Sequence, residues 1–306
     1  MVYDSMKRIK GLIAATLTPF DDGGELNLSV IEAYAQHLQN ENVKGLFVAG
    51  TTGESTLLTV EERKGLAEKW IEVGKDRFEH IIIHVGTSNL KDSQELARHS
   101  ENNRATAIAL MATSFFTPKS VDDLVEYVRL VADCAPNTPL FYYHIPAWTH
   151  IPFLMEDFLK AAIPKIPTLA GVKFTSGDMF DLGRCLILED QRFSIMFGGD
   201  EILISALAMG ACASVGGTYN FAGKLHCRIM DAFDKGDMET ARSEQYRSQA
   251  MVKLYCKYGG HAGVGKAIMR FLGLDLGPAR SPLSLSESQE AQLRDELGNI
   301  GFFTWR

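Results

Sequence analysis

The chain has 306 residues, 46% hydrophobic and 23% charged, with 27 glycines and 10 prolines. That is an ordinary globular composition, long enough for a large core. The formal net charge is −7, with no basic tract and no apolar run near the roughly 20 residues that span a bilayer, so neither nucleic acid nor a membrane is an expected partner.

Short apolar runs alternate with longer amphipathic ones along the chain. Candidate strands are 11–16, 45–49, 81–85, 107–112, 140–144, 169–174, 194–197 and 211–215. Helical stretches lie between them, and three carry start signals of capping-box type: Ser29-Val-Ile-Glu32, Thr59-Val-Glu-Glu62 and Ser120-Val-Asp-Asp123. From about Phe221 onward the pattern is helical, with further helices expected over 237–257 and 265–272 and a last one opened by Ser286-Glu-Ser-Gln289. The strands are near-continuously apolar, as in a parallel sheet covered on both faces. Eight of them in alternation with helices predict an α/β fold, a (β/α)₈ barrel with a C-terminal helical extension. The runner-up, a doubly wound open sheet, calls for a Gly-rich phosphate loop after the first strand. Here that strand is followed by Leu17-Thr-Pro-Phe-Asp-Asp-Gly-Gly24, which is no such loop. No linker rich in Pro, Gly or Ser divides the chain. The expected organisation is a barrel core over 1–220, then the last barrel helix and the extension over 221–306, not an independent domain.

The five cysteines, Cys134, Cys185, Cys212, Cys227 and Cys256, are odd in number, scattered and without a Cys-x-x-Cys pair. Residues 1–10 contain no signal-peptide core. Both features predict reduced thiols in a cytoplasmic protein.

In such a barrel, chemistry gathers where strands end at their carboxyl side. Strand six, Leu169-Ala-Gly-Val-Lys-Phe174, carries Lys173 near that end. A lysine in apolar surroundings has a depressed pKa, and its neutral amine can attack a ketone to form a Schiff base; the plain alternative is a side chain that snorkels into water. Strand two runs into Gly50-Thr-Thr-Gly-Glu54, where the hydroxyls of Thr51 and Thr52 and several N–H groups can cradle a carboxylate, or simply form a tight turn. Strand five ends in Tyr142-Tyr-His-Ile-Pro146, in which a tyrosine hydroxyl can relay protons or its ring can pack a core. After strand seven come Gly198-Gly-Asp-Glu201, carboxylates that suit polyol hydroxyls or a helix start. Thr175 follows strand six, and Gly216-Gly-Thr218 follows strand eight. The one His-x-x-x-His spacing, His80 to His84, falls on the third strand, where residues four apart are roughly 13 Å from each other, and no His-Glu-x-x-His run or Gly-x-Ser-x-Gly elbow is present, so neither a metal nor another cofactor is expected.

Gly50-Thr-Thr-Gly-Glu54, Tyr143-x-Ile-Pro146 and Gly171-Val-Lys-Phe174 resemble the signatures of the dihydrodipicolinate synthase and N-acetylneuraminate lyase superfamily. The resemblance runs from about Gly11 to Pro282. It is most specific in 142–147, 173–175, 197–201 and 215–220, where the chain looks like the animal-type lyase branch. It implies a class I aldolase on a barrel, usually tetrameric, that splits sialic acid into N-acetylmannosamine and pyruvate. By that likeness Lys173 forms the Schiff base and Tyr143 transfers the proton. Thr51 and Thr52 would hold the substrate carboxylate, and Thr175, Gly198, Asp200, Glu201 and Thr218 the sugar portion. Two residues depart from the pattern: Trp148 stands where those lyases carry a smaller apolar residue, and His150 where the superfamily usually has glycine. Thr113-Ser-Phe-Phe116 lacks a tyrosine that many relatives contribute across a subunit interface.

Three other readings stay open. An aldolase for another keto-deoxy sugar acid is the nearest. Dihydrodipicolinate synthase resembles sites with an arginine two residues after the Pro of the Tyr-x-x-Pro motif, where this chain has Trp148, so a bound carboxylate would lack its bidentate partner. A non-catalytic sialic-acid or keto-acid binding protein on the same barrel would need neither Lys173 nor Tyr143.

Overall fold

A computed structural model describes residues 8–306. The stretch 1–10, read above for a signal-peptide core, falls mostly outside the described residues. Eight strands, β1 (Gly11–Ala15), β2 (Gly45–Val48), β3 (His80–His84), β4 (Ala107–Leu110), β5 (Leu140–His144), β6 (Leu169–Phe174), β7 (Ser194–Phe197) and β8 (Ala213–Gly216), close into an all-parallel barrel in sequence order. Each crossover carries a helix: α1 (Ile31–Asn40), α2 (Val60–Gly74), α3 (Leu90–Asn102), α4 (Val121–Ala132), the short α5 (Pro146–Thr149) with α6 (Met155–Ala162), α7 (Met179–Ile187) and α8 (Leu203–Ala208). The chain continues through α9 (Tyr219–Asp234), α10 (Met238–Lys257), α11 (Ala262–Phe271), α12 (Glu287–Asn299) and α13 (Phe302–Trp305). The fold is a TIM barrel with added C-terminal helices, as the alternation predicts. No described helix is long and apolar enough to cross a membrane.

The strands are apolar throughout because both their faces are buried. Ile13, Phe47, Ile82, Ala109, Phe141 and Met196 fill the barrel interior. The intervening residues, among them Leu12, Leu46, Ile83, Leu110 and Val172, pack outward under the helices. This period of two fixes which strand-end residues face the mouth. In the β5–β6–β7 ladder Tyr143 pairs with Lys173, and Lys173 with Met196, so all three share the inner face. Tyr142 and His144 point the other way: the Tyr142 ring lies 4.8 Å from Phe158 of α6, and the His144 ring lies 5.2 Å from Phe174.

Of the four helix starts signalled in the sequence, three follow their local chemistry. Thr59 and Ser286 form full capping boxes with Glu62 and Gln289, and the Ser120 hydroxyl accepts from the Asp123 N–H. Ser29 does not cap. It lies in a 3₁₀ turn, Leu28–Val30, and its hydroxyl donates to Asn27 Oδ1 at 2.5 Å, so α1 begins without a side-chain cap. The C-terminal helices pack onto the barrel through α9, which contacts β1, α10 and α11.

Candidate active site

Lys173 enters the barrel at the carboxyl end of β6 and is buried there, 4% exposed. Its Nζ lies 4.0 Å from the centre of the Phe47 ring and 3.9 Å from that of Tyr143. Two aromatic faces attract a cation, yet desolvation dominates and holds the amine below the usual lysine pKa, against the opposing pull of the Tyr143 hydroxyl and the Asp200 charge. The neutral, nucleophilic form is therefore favoured more than on a surface lysine.

Thr51 and Thr52 leave the end of β2 in a tight turn. The Thr51 hydroxyl is 3.3 Å from Tyr143 Oη, which links the turn to the tyrosine beside Lys173. The turn is held from behind. The Thr18 hydroxyl donates to the Gly53 carbonyl at 2.7 Å, and Glu54, in the left-handed region at φ 60°, pairs with Lys266 of α11 at 2.8 Å and accepts the Arg280 N–H at 2.8 Å. Both side chains of the Glu54–Lys266 pair are sealed from solvent.

Across the mouth, Asp200 opens a 3₁₀ turn after β7 and is buried. Its Oδ2 accepts the Thr218 N–H at 3.0 Å and the Thr218 hydroxyl at 2.5 Å. A side chain on Gly216 would put its Cβ 2.1 Å from Asp200 Oδ1, so only glycine lets that carboxylate lie against β8. Gly198 does the same for Thr175: an added Cβ would sit 2.0 Å from Thr175 Oγ1, a buried hydroxyl with no partner. Glu201 is more exposed; partial desolvation first, then the Asp200 charge, push its carboxyl above the usual range. From α10, Gln245 donates to the Asp200 carbonyl and Gln249 to the Glu201 carbonyl, each at 3.0 Å.

Two cavities open at this end. One of about 210 Å³ is lined by Thr52, Gly198, Asp200, Glu201 and Thr218 among others. The other, about 340 Å³, is lined by Thr51, Thr52 and Ser55 on one side and by Trp148, Tyr255 and His261 on the other. All nine candidate residues thus gather at one end of the barrel. Lys173, Tyr143 and Thr175 line neither cavity, and Asp200 and Thr218 are engaged with each other.

Of the two departures noted in the sequence, Trp148 lines the larger cavity. His150 is exposed just beyond α5 at φ 55°, a conformation glycine adopts freely, which explains why glycine suits that position. Three neighbours escaped the sequence reading: Phe47, His84 and Lys266. Phe47 and His84 are inward-facing residues near strand ends, and the strand-end rule that flags Lys173 would flag them. The His84 ring meets Tyr143 edge-on at 6.0 Å and Phe47 at 5.9 Å. Burial first, then the Arg63 and Lys173 charges, hold its imidazole neutral. Lys266 lies in an apolar helix, and nothing local reveals its distant partner Glu54. Among the described residues there is no group of three or more His, Cys, Asp or Glu side chains able to hold a metal ion.

Residues 8–300 match the Dihydrodipicolinate synthetase family. The chain is 42% identical over 296 residues to the N-acetylneuraminate lyase of Homo sapiens, covering 94% of this chain and 92% of that one. It is 40% identical over 302 residues to the N-acetylneuraminate lyase of Mus musculus, covering 97% and 94%. A solved structure, the N-acetylneuraminate lyase of Proteus mirabilis, superposes with a TM-score of 0.93 at 39% identity, over 97% of this chain and 100% of that one.

Proposed function

The chain belongs to the dihydrodipicolinate synthetase family, and from that premise we propose that it is a carbon–carbon lyase, a class I aldolase that cleaves N-acetylneuraminate into N-acetylmannosamine and pyruvate. The observation that carries this reading is the Lys173 amine, buried between two aromatic rings on the inner face of β6 and held below its ordinary pKa. A structural strand gains nothing from such a group.

In the reaction, the neutral Lys173 amine attacks the C2 ketone of the open-chain substrate, water leaves, and a protonated imine forms. Thr51 and Thr52 hold the C1 carboxylate beside it. Tyr143 is the proton-transfer residue: it takes the C4 hydroxyl proton as the C3–C4 bond breaks, with the bonding electrons drawn into the imine to give an enamine. The C4 carbon leaves as the aldehyde of the amino sugar. Protonation of the enamine at C3 and hydrolysis then release pyruvate and restore Lys173. Thr175, Gly198, Asp200, Glu201 and Thr218 hold the sugar portion. The unpartnered Thr175 hydroxyl supports this, since a substrate hydroxyl would complete it.

The finer assignment is a homotetramer in the cytoplasm. What supports the assembly is exposed apolar surface, notably the edge-on pair Phe115 and Phe116 and, on α7, Phe180 and Ile187. Five free thiols suit a reducing compartment.

Incubation with pyruvate and borohydride should add one three-carbon unit per chain, on the peptide containing Lys173. Lys173→Ala should lose both labelling and cleavage. Cleavage that survives in Lys173→Ala, or label recovered on another residue, overturns the assignment.

A further inference from the structure

His84 has no part in the mechanism above, yet it lies among the residues that do. The rings of Phe47, His84 and Tyr143 form a triangle with sides of 5.6, 5.9 and 6.0 Å between centres, and Lys173 Nζ stands over the Phe47 and Tyr143 corners. The residue ends β3 on the inner face, paired with Ala109 of β4, and is 1% exposed. Packing does not account for it. Its Nε2 is buried with no hydrogen-bond partner among the described residues, a cost that a phenylalanine in the same space would avoid.

The other ring nitrogen is engaged, and its partner fixes the tautomer. Nδ1 lies 3.0 Å from the Ala49 carbonyl oxygen, which can only accept, so Nδ1 carries the proton and donates it there. Arg63, buried on α2, also approaches Nδ1, but a guanidinium can only donate. Its Nη2 donates to the His84 carbonyl at 2.5 Å and its Nη1 to the Gly86 carbonyl at 2.9 Å. Arg63 thus holds the end of β3, and His84 carries that hold across to the end of β2. Ala49 is where the chain leaves β2. It lies in the left-handed region at φ 53°, a conformation that strains a residue with a Cβ. The bend folds Gly50 over the Phe47 ring, where an added Cβ would come within 2.6 Å of a ring carbon. It also presents the Thr51 hydroxyl to Tyr143 Oη at 3.3 Å.

We propose that His84 is the positioning residue for the proton-transfer group: its Nδ1–H, donated to the Ala49 carbonyl, holds the left-handed bend that sets the Thr51 hydroxyl against Tyr143. This rests on the aldolase reading above and adds to it a residue that acts through the turn rather than on the substrate. The His84 ring also meets Tyr143 edge-on, 87° between planes, so the tyrosine is steadied at its ring as well as at its hydroxyl. Displacement of a reacting group by about 1 Å can lower turnover by on the order of 10²-fold, which sets the size of effect to look for.

The two ring nitrogens can be tested separately. In His84→Asn the amide nitrogen is as many bonds from Cβ as Nδ1, so the donor to Ala49 is kept. In His84→Gln the amide nitrogen takes the place of Nε2, and that donor is lost. His84→Phe keeps an aromatic edge against Tyr143 and has no donor. The kcat for pyruvate release from N-acetylneuraminate should fall by less than about 5-fold in His84→Asn, and by roughly 10- to 100-fold in His84→Gln and His84→Phe. A packing role predicts the reverse order, since Phe and Gln fill the space better than Asn. Borohydride trapping of pyruvate on Lys173 counts the competent chains in each preparation, and kcat is expressed per trapped chain. A cycle with Thr51→Val locates the path: in that background His84→Gln should lower kcat by less than about 3-fold, because the contact it governs is already gone. A His84→Asn variant that fails to trap pyruvate, or is no better than His84→Phe, overturns this inference alone. So do effects of His84→Gln and Thr51→Val that multiply in full. Absence of both trapping and release in the parent protein overturns the aldolase reading and this inference together.

Discussion

The buried pair Glu54–Lys266 ties the carboxylate cradle to the C-terminal helices, and removing either partner should cost more than almost any other polar change in the chain. The Nζ–Oε1 distance is 2.8 Å with both side chains at or below 1% exposure. Lys266 Nζ also donates to the Pro278 carbonyl at 2.8 Å and lies 4.1 Å from the centre of the Phe20 ring. Lys266→Met leaves the Glu54 carboxylate in the interior with the Arg280 N–H as its remaining partner, and Glu54→Gln strands an ammonium. Each should cost about 3–5 kcal/mol, whereas exchange of both partners for neutral groups of similar volume should be close to neutral. Against a typical total of about 5–15 kcal/mol, each single change removes a large share of the stability. Urea unfolding of Lys266→Met, Glu54→Gln and the double variant gives the coupling directly. The single variants should also need more pyruvate for half-maximal borohydride trapping, because Glu54 positions the turn that carries Thr51 and Thr52. The pH dependence has a fixed sign. Burial lowers the Lys266 pKa to about 8 from 10.5, so between those values the unfolded chain binds more protons than the folded one. The Lys266 contribution to stability is therefore greatest above pH 10.5 and is lost as pH falls through about 8, a dependence absent from Lys266→Met. Single variants that unfold within about 0.5 kcal/mol of the parent, with no coupling, would refute the reasoning.

Tyr143→Phe keeps the ring over Lys173 and deletes the hydroxyl; turnover should fall by roughly 10²–10⁴, and full turnover would reduce Tyr143 to a packing residue. The rate of pyruvate trapping should rise with pH as Lys173 loses its proton, with a midpoint below the ordinary 10.5, and a midpoint at or above 10.5 would contradict the burial argument. Gly216→Ala drives a Cβ to 2.1 Å from Asp200 Oδ1, so KM for long sugar acids should rise while pyruvate labelling persists; an unchanged KM would free Asp200 from the sugar site.

Local pattern determined a good deal of this protein. Short, near-continuously apolar runs, helix starts such as Thr59–Glu62 and the count of eight strands specify a covered parallel barrel, because each depends on neighbours within a few residues. The same pattern marks strand ends as the place for chemistry, which is why Lys173, the Tyr142–Tyr143 pair and the Thr51–Thr52 turn stand out before any coordinates. Tertiary structure decided what depends on residues far apart in the chain. Of the three polar residues ending β5, only Tyr143 shares the inner face with Lys173, because the β5–β6 register pairs those two. The Ser29 hydroxyl turned to Asn27 instead of capping α1. Glu54 found Lys266 across 211 intervening positions, and Trp148 found His261. A side chain's burial, and hence the state of its charge, is set by the whole closed barrel. No stretch of sequence around Lys173 or Lys266 contains that information, and it arises only when eight strands and the C-terminal helices shut out water together.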